Sequence, residues 1–197
     1  MSWIEAEFED LDETFNYAVI QNDLRRVINV CNKALYDYGV NNGIQLGTTL
    51  STVLVRDDGA YLIANVGDSR VYLITQEYVN QLTEDQTYIA NEIKNNRMTV
   101  EEAKESKYKN VLTQCIGVNE TVEVLFYRGK LVEGEAFLLC SDGFRHFLNE
   151  DDIYEGLHDV CVSDDVLKWE ENLKKITLEN MNKGEKDNIT SVILKVE

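Results

Sequence analysis

A chain of 197 residues with 44% hydrophobic content can bury the core of one domain, since domains hold roughly 100–200 residues, and its composition is not that of a disordered segment. The net charge of −17 repels phosphate backbones and anionic headgroups, which argues against nucleic-acid and membrane partners. Cys31, Cys115, Cys140 and Cys161 form no CxxC pair and no zinc-type spacing with histidine, so they read as small buried hydrophobes.

Residues 3–38 carry apolar positions at helical spacing: Phe8, Leu11, Phe15 and Ala18, then Leu24, Val27, Ile28, Cys31, Leu35 and Tyr38. The spacing predicts one long helix or two joined ones, ending near Gly39. TTLSTVLVR and AYLIANV flank Asp57-Asp58-Gly59 and predict a hairpin. A further turn, GDSR, leads into VYLI, which predicts a three-strand antiparallel meander across 48–75. Residues 84–110 are polar and helical, with a capping box of Thr99 and Glu102. Strands are expected at about 121–128 and 135–140, helices at about 150–158 and 164–182, and a last strand in NITSVILKV. The class is α+β, with antiparallel strands and helices covering sheet faces.

Three aspartates stand in turns read as following apolar strands: Asp68 in ANVGDSR, Asp142 in FLLCSDGF and Asp187 in KGEKDNIT. Mg²⁺ and Mn²⁺ prefer carboxylate, carbonyl and water oxygens, and a rigid strand end with glycine beside a carboxylate suits such an ion. Asp before Gly or Asn is turn chemistry first, so each aspartate taken alone reads as a plain turn.

Order and context alter that weighing. GTTLS at 47–51, ANVGDSRVYLI at 64–74, QLTEDQT at 81–87, VLTQCIG at 111–117, FLLCSDGF at 137–144 and DNITSVILKV at 187–196 resemble successive segments of the metal-dependent Ser/Thr protein phosphatases (the PPM or type 2C family). IKNNRMTVEEAKES is similar to the flap of bacterial members. The resemblance runs from about residue 11 to the C-terminus, and implies a single, partial phosphatase domain over 1–197 with a flap-like segment at about 84–110. It implies an antiparallel β-sandwich flanked by helices, incomplete at the N-terminus. It also implies a cleft holding two Mg²⁺ or Mn²⁺ ions, with a third in bacterial members. The implied reaction is hydrolysis of phosphoserine or phosphothreonine on proteins by a metal-activated water.

Carried over by position, Asp142 and Asp187 match the carboxylates on the catalytic ions, and Asp68 with Asp142 matches the third site. Asn110 sits near a position that gives that third ion an oxygen. Thr48 matches a structural residue near the cleft floor, and Arg70 a structural ion-pair partner rather than a phosphate clamp. His146 and His158 are read as non-ligands, because the family's metal sites are oxygen-rich. One departure matters more. Family members open with a strand bearing a phosphate-binding Arg, then a DGMGG-like turn whose Asp bridges both ions. Residues 1–56 hold no Asp-Gly, so the bridge and the clamp are expected to be missing and this chain alone inactive. The alternative is a non-catalytic relative that binds a phosphoprotein or kinase. The expected partners are a phosphorylated protein and a Ser/Thr kinase. An acidic start without an apolar run, and no ~18-residue apolar stretch, point to the cytoplasm.

Overall fold

The computed structural model describes residues 16–195. It opens on helix α1 (Tyr17–Asn42), capped by Asn16, whose side chain accepts from the amides of Ala18 and Val19. The predicted helical stretch with Phe8, Leu11 and Phe15 lies outside the described residues. The helix passes Gly39 and ends three residues later than expected, at Asn42. Gly43 takes the left-handed conformation at φ 64°, with Ile44 N–H donating to Gly39 O (3.0 Å) and Gly43 N–H to Val40 O (3.3 Å). These two bonds make a Schellman stop. Gly39 is glycine for another reason: a Cβ there would lie 2.7 Å from Ile44 O, where the chain folds back.

Strands β1 (Leu50–Val55) and β2 (Ala60–Val66) form the expected hairpin, with Gly59 N–H donating to Arg56 O (2.9 Å). The predicted meander does not form. Strand β3 (Arg70–Ile74) leaves β2 and joins another sheet. β2 pairs instead with β5 (Leu125–Lys130), completing a three-stranded sheet in the order β1-β2-β5. β3 lies between β4 (Val79–Gln81) and β6 (Ala136–Cys140), and β6 pairs onward with β7 (Ser191–Lys195), giving the order β4-β3-β6-β7. Every pairing is antiparallel. The GDSR turn is therefore a crossing between sheets, and local sequence does not distinguish that from a hairpin.

The two sheets face each other. Tyr61 and Ile63 of β2 meet Val71 of β3 and Phe137 of β6, and Tyr61 stacks edge-on against Phe137 at 5.0 Å. Alternate residues of the same strands point outward. Ala64 and Val66 pack under α1 with Ile28. Tyr72, Ile74, Leu138 and Cys140 pack under α5 (Glu150–Leu157), a 3₁₀ turn at His158–Cys161, and α6 (Val166–Asn182). The architecture is helix, sheet, sheet, helix, the flanked sandwich that the resemblance implies. Between β4 and β5 stand two short helices, α2 (Tyr88–Lys94) and α3 (Val100–Lys104), the latter carrying both bonds of the Thr99–Glu102 capping box. A single-turn helix, α4 (Asp142–Arg145), follows β6.

Apolar contact alone does not set the register of α1. Asn32, fully buried, donates to Asn119 O and Glu120 O (3.0 Å each) and accepts from Gly117 N–H (2.8 Å). Asn32→Ala leaves a buried amide and two carbonyls without partners, so it is expected to cost about 2–3 kcal/mol. Urea unfolding of the two proteins measures it, and a loss below about 0.5 kcal/mol would show that water replaces the side chain.

Candidate metal centre

The strand ladder builds the site. Arg70 at the start of β3 is in register with Cys140 at the end of β6, and Cys140 with Ser191 at the start of β7. Antiparallel order thus gathers three connections at one end of the sheet: the one before β3 with Asp68, the one after β6 with Asp142, and the one before β7 with Asp187. Asp187 follows helix α6 and precedes its strand, so only Asp68 and Asp142 follow a strand as read, Asp68 in a turn and Asp142 at the start of the one-turn helix α4.

The connections touch. Gly143 faces Asn188 so closely that a Cβ would lie 2.7 Å from Asn188 O and 3.4 Å from Asp187 Cβ. Ser141 Oγ donates to Asn188 O (3.2 Å) and accepts from Thr190 N–H (3.0 Å). Each aspartate is set by a local amide: Gly143 N–H donates to Asp142 Oδ1 (2.8 Å), and Asn188 N–H to Asp187 Oδ1 (2.7 Å). His146 links the groups: its Nδ1 lies 2.7 Å from Glu185 Oε2, and its Nε2 3.6 Å from Asp142 Oδ2. A carboxylate only accepts, so Nδ1 carries the proton. Amides of Asp187 and Lys186 donate to Glu185 Oε1 and, with His146, hold this carboxyl below the usual range.

Asp68 sits deeper. Burial raises its pKa; Arg145 opposes the shift, and the carboxylates of Asp142 and Asp85 add to it. Arg145 Nη2 donates to Asp68 O (2.9 Å) and lies 3.4 Å from Asp68 Oδ2. Arg70 holds Asp85 through two bonds of 2.7 Å and also donates to Tyr72 OH (2.8 Å), the structural ion pair expected of it. Burial pushes the Cys140 thiol up to about 12, so this cysteine is a packing group.

A cavity of about 830 Å³ opens over these groups, lined by Asp68, Asn110, His146 and Asp187. Its far wall is α2 and α3, with Ile89, Ile93 and Val100 beside Lys104 and Lys109. Asn110 thus reaches the same cleft as Asp68 and Asp187. Thr48 is exposed, bridges to Ile116 and donates to Thr49 O. His158 lies apart, against Tyr154 and Asp159. Among the described residues, no three His, Cys, Asp or Glu side chains close on one point as a ligand set. Sequence reading assigned no role to Asp85, Arg145 or Glu185. Asp85 lay inside a quoted motif, QLTEDQT, while Arg145 had only its spacing of one helical turn from Asp142 as a signal.

An antiparallel sandwich flanked by helices is the class of fold that the comparisons identify. A family model described as Protein phosphatase 2C matches residues 2–176. The chain belongs to the protein phosphatase 2C family, and by family it is a protein serine/threonine phosphatase. It is 32% identical over 184 residues to the serine/threonine phosphatase stp of Listeria monocytogenes, covering 89% of this chain and 68% of that protein. It is 26% identical over 195 residues to protein phosphatase PhpP of Streptococcus pneumoniae, covering 98% and 74%. The crystal structure of serine/threonine phosphatase Stp1 from Staphylococcus aureus superposes with a TM-score of 0.80 at 26% identity, covering 98% of this chain and 74% of that one. A PstP catalytic domain solved in complex with 2 manganese ions shares the fold at a TM-score of 0.73 and 23% identity.

The Gly143 contact gives a direct test of how the two aspartate turns are held. Gly143→Ala forces Cβ against a backbone oxygen, so the turns must part. A stability loss of about 1–3 kcal/mol is expected, with the amide resonances of Asp187 and Asn188 shifting most. Thermal unfolding and amide NMR check this; unchanged Asn188 shifts would place the contact elsewhere.

Proposed function

We propose that this cleft serves metal-dependent hydrolysis of phosphoserine and phosphothreonine on proteins, with Mg²⁺ or Mn²⁺ as the cofactor. The observation that carries the reading is the convergence of the Asp142 and Asp187 turns at one ladder end, beneath a cavity large enough for a phosphorylated side chain. The donors there are oxygens, and among the described residues neither Asp142 nor Asp187 pairs with Lys or Arg. That donor chemistry fits a hard divalent cation. Asp142 and Asp187 would hold it, while Asn110 and Asp68 line the same cleft. When bound, such a cation supplies Lewis-acid charge to a phosphoryl group and lowers the pKa of water.

The chain's own groups do the rest. Lys104, Lys109 and Lys186 put positive charge around the cavity of a strongly acidic protein, where a phosphorylated segment must enter. Ile89, Ile93 and Val100 give that segment an apolar wall, and residues 84–110 act as the flap. His146 is fixed on Glu185 through Nδ1, with its Nε2 3.6 Å from Asp142 Oδ2. Hydrolysis adds water across the P–O ester bond and returns the side-chain hydroxyl and inorganic phosphate.

The four cysteines are unpaired, which suits a reducing cytoplasm, and a Ser/Thr kinase would supply the phosphorylated substrate. Among the described residues no helix is long and apolar enough to cross a membrane.

Two carboxylates without a third converging donor should bind Mn²⁺ weakly. Calorimetry is expected to show weak binding that Asp142→Asn abolishes; tight binding of two ions would reveal a ligand not recognised above. Release of phosphate from a phosphothreonine peptide should be low in this chain. It should rise by ~10² or more when family N-terminal strands with an Asp-Gly turn are fused ahead of it, and fall again with Asp187→Asn. A well-folded fusion without Mn²⁺-dependent turnover would favour a non-catalytic binding module.

A further inference from the structure

The cleft contains two kinds of carboxylate. Asp187 lines it and the Asp142 turn abuts the Asp187 turn, and neither carboxylate has an arginine or lysine partner among the described residues. Asp68 and Asp85 are each met by a guanidinium. Arg70 grips Asp85 through two bonds of 2.7 Å. Arg145, whose side chain is 12% exposed, places Nη2 2.9 Å from Asp68 O, 3.4 Å from Asp68 Oδ2 and 3.5 Å from Asp85 Oδ2. Two arginines and two aspartates make a closed, part-buried cluster with no net charge. The guanidinium is committed to this side: its Nε is buried and has no hydrogen-bond partner. An arginine that leaves one buried donor unsatisfied gives up free energy there, and the contacts to Asp68 and Asp85 must offset it.

We propose that Arg145 is the resident cation at Asp68, so that this more buried side of the cleft is neutralised by the protein itself and takes no divalent ion. Family position alone assigns Asp68, with Asp142, to a third metal ion, and the donors found at Asp68 do not fit one. The side-chain oxygen and the main-chain oxygen of Asp68 both face the same Nη2. A divalent ion on Asp68 would have to displace that nitrogen or sit beside it in a half-buried site. Arginine cannot relieve the repulsion by losing its proton. One helical turn therefore carries both functions, with Asp142 at the start of α4 presented to a metal and Arg145 at its end replacing one.

The inference rests on reading Asp142 and Asp187 as the cation ligands, and the test separates the two. Mn²⁺ bound per chain is counted by electron paramagnetic resonance on the full chain and its variants. Asp142→Asn tests the cation reading: binding that persists unchanged overturns that reading, and a chain that binds no Mn²⁺ in any form overturns both. Asp68→Asn and Arg145→Gln test the inference. Asp68→Asn is expected to leave the Mn²⁺ count of the parent unchanged. Arg145→Gln is expected to gain a further Mn²⁺ equivalent, lost again in the Arg145→Gln, Asp68→Asn double variant. A lower count in Asp68→Asn alone, or no gain in a folded Arg145→Gln, overturns it. Where the Gln variant fails to fold, Arg145→Met keeps the packing of the stem and is counted instead. Independently of any metal, a urea double-mutant cycle in EDTA between Arg145→Met and Asp68→Asn should be non-additive, and strict additivity overturns the pairing on which the inference stands.

Discussion

One of the two inner strands of the second sheet, β6, fixes the rest of the site. Its last residue, Cys140, is in register on one side with Arg70 and on the other with Ser191. The connections that carry Asp68, Asp142 and Asp187 are within two to four residues of those three positions. Shifting either ladder by one residue would turn every side chain of a strand to the opposite face. That is prohibited, because Val71 and Phe137 face one core while Tyr72, Leu138 and Cys140 face another. The hydrophobic pattern of three strands thereby sets the spacing of polar groups that take no part in the core.

Charge then divides the site. Paired arginines hold the aspartates that lie deepest, and the aspartates nearest β7 are left to backbone amides and His146. A part-buried ion pair is costly to break from one side, since the remaining charge stays desolvated. Arg70 and Arg145 are therefore structural in origin: they allow Asp68 and Asp85 to sit close to Asp142 without destabilising the end of the sheet. The unpaired carboxylates carry the surplus negative charge, and a cation is the simplest way to balance it.

Much of this was legible in the sequence, and the gaps have physical causes. The hairpin at Asp57-Asp58-Gly59 and the capping box at Thr99 follow from turn and cap chemistry that needs no tertiary contact, whereas Asp142 and Asp187 stand out only through the family resemblance. The end of α1 was misplaced because glycine has two uses. Gly39 is needed for a close approach to Ile44, and Gly43 for a left-handed cap, and the residue letter does not distinguish them. The meander failed because strand β3 carries apolar residues on both faces and chooses its sheet by long-range packing. Arg145 was missed for a similar reason. Its partners, Asp68 and Asp85, lie 77 and 60 residues away in sequence, and only the folded ladder brings them within reach.

The outer helices bear on the site through polar contacts as much as through packing. Asn180 of α6 is fully buried and donates to Phe144 O in α4 (2.5 Å), and Lys183 reaches Phe147 O (3.4 Å). These bonds tie the end of α6 to the one-turn helix that starts at Asp142. Gly184 to Asp187 follow immediately, so the position of Asp187 is set from both directions: by the β7 ladder after it and by the anchored helix before it. Buried amides of this kind are expensive to misplace, because each must find its partner at one register only. A stretch with no regular structure of its own can thus present a carboxylate at a defined place, and the sandwich needs no further element between α6 and β7 to do so.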